Sequence, residues 1–211
     1  MKRALLMLPL ALAGCGQKEA GFPDDPVQRA ATCGVVAAAE ARRTSGNVES
    51  KLSIEQQGRI LHYALLAGAE GESFDQARAA AVVKAMPGLG DTVTGRDWAP
   101  LIAQCEAAYP ATKSAGEVKL PDDPLTAQAG CLELADFFTS ALRASEADYA
   151  ERMRAYDAME RNLDIRLGRT SRARGLSQEQ ATGARDKAMA TMIGLGSPTA
   201  VIDACVARFK G

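Results

Sequence analysis

The chain has 211 residues and a formal net charge of −1, a balance that argues against a nucleic-acid partner. Only 5% of its residues are aromatic while alanine is abundant, which favours closely packed helices over a β-sandwich. A chain of this length suffices for a real core in one large or two small domains.

Met1-Lys2-Arg3 supplies a short positive region, and an apolar run follows from Ala4 to Ala13. That run is too short to span a bilayer and reads as a secretory signal over residues 1–14. Leu12-Ala13-Gly14-Cys15 comes next and resembles the lipobox of bacterial lipoproteins. The resemblance covers only the first fifteen residues. It implies cleavage before Cys15 and lipid on its thiol and new amino group, so a membrane is the first partner. Several acyl chains, each methylene contributing about 0.8 kcal/mol, hold far more firmly than one. Ala11-Leu12-Ala13 also fits an ordinary small-x-small cut, but that would leave five cysteines and one odd thiol in an oxidising compartment. Lipidating Cys15 leaves an even set. Gly16 stands where lipoproteins held at the inner membrane carry aspartate, so the resemblance leans towards the outer membrane, facing the periplasm. Residues 15–22 are then a tether, and the segment from Gly16 to Phe22 reaches roughly 25 Å when extended. Removing residues 1–14 deletes Lys2 and Arg3 and takes the charge from −1 to −3.

The rest of the chain says the same thing twice. Pro23-Asp24-Asp25-Pro26, Cys33 and Leu101-Ile102-x-x-Cys105-x-x-x-Tyr109 are echoed by Pro121-Asp122-Asp123-Pro124, Cys131 and Val201-Ile202-x-x-Cys205-x-x-x-Phe209. Between the cysteines, Met86-x-Gly88-Leu89-Gly90 matches Met192-x-Gly194-Leu195-Gly196. Such a period is too long for a solenoid and indicates a tandem duplication: repeat 1 over 23–110, a linker over 111–120 and repeat 2 over 121–211. The four remaining cysteines allow three pairings. Duplication favours Cys33 with Cys105 and Cys131 with Cys205, because each ancestral unit needed a complete bond. No Cys-x-x-Cys pair is present and the one histidine, His62, has no ligand-spaced neighbour, so the cysteines read as staples rather than as a metal or catalytic site.

Capping signals divide each copy into helices. Asp25-Pro26, Asp123-Pro124 and Ser197-Pro198 each put an acceptor at the cap and proline at the first helical position, and Asp97 before Trp98 is the first-copy counterpart. Ser53 with Gln56, Ser73 with Gln76 and Ser177 with Gln180 have the form of capping boxes. Apolar spacing then predicts helices near 26–43, 53–68, 74–86 and 98–109, and near 124–143, 146–168, 177–193 and 198–210. Gly88-Leu89-Gly90 and Gly194-Leu195-Gly196 follow no strand and lack the lysine of a phosphate loop, so both are expected to be helix-ending turns with a left-handed glycine. The fold class expected is all-α: two disulfide-stapled bundle units of about four helices each.

No catalytic, cofactor or metal constellation emerges. His62 with Glu55 imitates part of an acid–base site but has no positioned nucleophile. Trp98, present only in the first copy, is either core or an anchor for a partner. Arg166, Arg169, Arg172 and Arg174 are either a solvated helix end or a grip for phosphate or carboxylate groups of lipid or cell-wall polymer. The expected function is a non-enzymatic binding or assembly module for an envelope protein or cell-wall component. An envelope enzyme with its site between the copies, and a periplasmic inhibitor or immunity protein, are the alternatives.

Overall fold

The computed structural model describes residues 21–46, 51–114, 116–143 and 148–210; the signal region, Cys15 and most of the tether lie outside them. Among these residues the chain is all-helical. The first half holds α1 (Pro26–Ser45), α2 (Ile54–Gly68), α3 (Gln76–Thr94) and α4 (Ala99–Ala108), followed by a 3₁₀ turn at Pro110–Lys113. The second holds α5 (Pro124–Leu142), α6 (Ala150–Ala173), α7 (Gln178–Ile193) and α8 (Pro198–Phe209).

The helix starts follow from side chains that satisfy the otherwise orphaned first N–H groups. The Asp25 carboxylate accepts from Gln28 N–H at 2.8 Å and Asp123 from Thr126 N–H at 2.9 Å, each ahead of a proline. Reciprocal capping boxes form at Ser53/Gln56 and Ser177/Gln180. The third expected box does not form. Phe74 N–H donates to Asp186 O and Asp75 N–H to Gly68 O, so the chain is still turning there. Asp75 caps α3 instead, accepting from Arg78 N–H at 2.9 Å. Before α4, Trp98 takes the cap position without a side-chain bond, and Asp97 accepts from Ala99 N–H at 3.3 Å.

Two further expectations are corrected. Gly88-Leu89-Gly90 does not end α3: the helix runs through Pro87 to Thr94, and Val93 is buried beyond the glycines. A buried apolar stripe carries the helix past a locally poor sequence, as tertiary packing commonly does. In the second half α7 does stop at Ile193, but Gly194 has φ −77°, so no left-handed residue terminates it.

The disulfides join Cys33 of α1 to Cys105 of α4 and Cys131 of α5 to Cys205 of α8, with Cα atoms 5.4 and 5.8 Å apart. All four cysteines are buried. In the first half α1 packs against α2 and α3, and in the second α5 packs against α6 and α7. The halves share a core through α2. Ile60, Tyr63 and Ala64 of that helix fill the first-half core, whereas Ile54, Leu61 and Leu65 enter the larger core with Phe138, Met192 and Ile202. Gly58 permits the approach, since a Cβ there would stand 2.9 Å from Thr199 Cγ2 on α8.

Candidate binding surfaces

A groove opens where the C-terminal halves of α1 and α3 meet the start of α2. It encloses about 980 Å³ counting its open mouth. Small residues create it: Ala38 and Ala39 on α1 face Pro87 and Gly90 on α3, while Val35 and Ile60 line the floor. A Cβ at Gly90 would meet nothing within 4 Å, so the missing side chain leaves open space rather than a packed contact. The unexpected extension of α3 past Pro87 is what builds this wall.

Beyond Arg42 the hollow continues to Thr94 and Trp98. Trp98 is half-buried and packs against the cluster of Val35, Val36, Val93 and Leu101. One face of its indole carries the Arg43 guanidinium at 5.4 Å, a cation–π contact. The groove therefore has a mixed lining, with an apolar floor, Gln57, Asp91 and Thr94 among its polar members, and Arg42 and Arg43 towards the tryptophan end. This combination of apolar lining and a few convergent polar groups is the usual make-up of a ligand or peptide site.

A polar network ties the halves together elsewhere. Arg152 of α6 pairs with Glu55 of α2 at 3.3 Å and with Asp203 of α8 at 3.2 Å, and the Tyr156 hydroxyl donates to Asp203 Oδ1 at 3.0 Å. Burial first, and then the Asp203 charge, pushes the Tyr156 hydroxyl far above the usual phenol range. The Tyr149 hydroxyl donates to Leu52 O at 2.5 Å, and Lys51 pairs with Asp148 beside it. Glu55 is thus engaged by Arg152, not by histidine.

His62 is fully buried between α2 and the end of α7, where Nε2–H donates to Ile193 O at 3.2 Å. Nδ1 has no partner among the described residues. Burial lowers its pKa to about 4, so the ring is neutral and sealed from substrate. A second perturbed group is Glu160 on α6. Burial, then the charges of Asp136 and Asp157, raise it to about 7, although the Thr139 hydroxyl donates to it at 3.3 Å. Among the described residues no cluster of histidine, cysteine or carboxylate side chains is arranged to hold a metal ion.

No protein-family model matches the chain, and neither the curated proteins nor the solved structures yield a match. The site must be judged on its own chemistry.

The arginine run is divided only at Arg174. Helix α6 extends to Ala173, five residues beyond the expected end, and the spacing of three keeps Arg166, Arg169 and Arg172 neighbours along one side of it. Arg174, at the cap, pairs with Asp123 at 2.5 Å. That hydrogen bond, with those from Thr126, pulls Asp123 down to about 2. Arg166, Arg169 and Arg172 are exposed and make no ion pair among the described residues. Trp98 sits on the α1–α3–α4 corner of the first half and shares no contact with them. The groove itself escaped the sequence reading, because its one signal, apolar residues continuing beyond Pro87, was masked by the glycines.

Proposed function

We propose that this protein is a lipid-anchored periplasmic binding module, built by tandem duplication, whose groove along α1 and α3 holds a segment of an envelope protein. The observation that carries the reading is the groove itself: an open hollow with an apolar floor that adjoins a half-buried tryptophan capped by Arg43. Tryptophan and arginine are the residues that most often dominate binding energy at protein interfaces. The basic end suits a segment with an acidic or carboxylate-terminated tip. Support for the anchor comes from the lipobox-like Leu12-Ala13-Gly14-Cys15, and for the compartment from two buried disulfides. An enzymatic reading gains nothing from His62, which is buried away from any cleft.

The test is crosslinking in intact cells, comparing wild type with Trp98→Ala and with Gly90→Leu, which fills the open wall of the groove. One protein captured in stoichiometric amount by wild type, and lost in both variants, supports the reading. Capture that survives both variants would place the partner elsewhere and overturn the groove assignment.

A further inference from the structure

The solvent face of α6 carries a second surface, independent of whatever fills the groove. Positions 154, 158, 161, 165, 169 and 172 follow one another at intervals of four and three residues, and all are exposed. They are Arg154, Ala158, Arg161, Ile165, Arg169 and Arg172. The opposite side of the helix, with Tyr156, Leu163 and Leu167, is buried against α5 and its neighbours. At a rise of about 1.5 Å per residue the stripe is roughly 27 Å long. None of its four arginines has an ion-pair partner among the described residues, whereas Arg152, Arg174 and Arg185 on adjoining surfaces are all paired. Asp157 and Asp164 lie to one flank of the stripe and Arg166 to the other.

In its middle stands Ile165, 57% exposed and the one large apolar side chain so exposed among the described residues. We infer that this face of α6 docks on an anionic phospholipid bilayer, the arginines gripping phosphate groups and Ile165 entering the acyl boundary. Guanidinium groups pair with phosphate through forked hydrogen bonds. A row of basic side chains along one helix is attracted to an anionic bilayer surface, and a single exposed apolar side chain among them can reach the acyl boundary. A soluble anionic polymer would satisfy the arginines equally well but would leave Ile165 in water.

The test is co-sedimentation of the chain from residue 15 onward carrying Cys15→Ser, so that neither the apolar run at Ala4–Ala13 nor an acyl chain contributes, with phosphatidylcholine vesicles containing or lacking phosphatidylglycerol. Preferential binding to the anionic vesicles, weakening as salt is raised, is expected. Arg161→Gln and Arg169→Gln should each lower it roughly fivefold, and Ile165→Ser should lower it too, while Arg166→Gln, on the flank, lowers it less. Equal binding to both vesicle types, or full binding by the Arg161→Gln/Arg169→Gln double variant, would overturn the inference. So would displacement by soluble polyphosphate combined with a silent Ile165→Ser, which would assign the face to a soluble polyanion.

Discussion

Gly130 lies directly beneath the side chain of Met192: a Cβ at residue 130 would collide with the methionine Cγ and stand 2.9 Å from Ala188 O. The first half has the same relationship between Gly34 and Met86, where the clash would fall on the methionine Cε and Sδ. Gly34 follows the first cysteine of its half while Gly130 precedes its own, and each methionine opens a Met-x-Gly-Leu-Gly element, so the two contacts are alike in kind but do not fall at equivalent positions. The tolerances differ. At residue 34 the obstacle is the flexible tip of a thioether, and at residue 130 it includes backbone.

Gly130→Ala is therefore expected to destabilise the protein by about 1–3 kcal/mol, since overpacking outweighs the gain in helix propensity. Gly34→Ala should cost less. Urea denaturation of the two variants against wild type checks the order.

Removing either disulfide should be severe. Each closes a loop of more than seventy residues, with separations of 72 and 74, for which chain entropy predicts a loss of about 4 kcal/mol. Cys33→Ser/Cys105→Ser and Cys131→Ser/Cys205→Ser, compared by denaturant midpoint, should show losses of similar size.

His62 makes stability depend on acid. Its folded pKa of about 4 lies below the ordinary 6.5, so the unfolded chain binds the proton first. The contribution is fully present above pH 6.5 and is lost as pH falls towards 4. His62→Gln should flatten the stability curve across that window, whatever its effect on stability at neutral pH.

Glu160 acts in the opposite direction. With a folded pKa near 7 against an ordinary 4.5, its protonated form is the one the fold prefers, and stability falls as pH rises from 4.5 towards 7. Glu160→Gln should therefore stabilise the protein above pH 7, by roughly 1–3 kcal/mol, and change little below pH 4.5. Thermal unfolding at pH 8 and pH 4.5 separates these outcomes.

Local chemistry made most of the helices legible beforehand. Asp25, Asp123, Ser53, Ser177 and Ser197 all cap as their neighbours imply, because a cap involves only three or four adjacent residues. The misreadings concern residues whose role is set from afar. Pro87 and its glycines look like a stop, yet Met86, Leu89 and Val93 pack with α1 partners and hold the helix together. Of the arginines near residue 170, Arg174 is given to Asp123 while Arg166, Arg169 and Arg172 stay exposed on one helix. Arg154 and Arg161, far away in sequence, are the ones aligned with Arg169 and Arg172.

The divided packing of α2 has a consequence for biosynthesis. When the first half of the chain is complete, Ile54, Leu61 and Leu65 still lack Phe138, Met192, Ile202 and the other second-half members of their cluster, which have yet to emerge. Until then this nascent half displays a sticky apolar seam, and a chain cut in the linker would keep it permanently. Covering that seam takes residues from both halves of the chain.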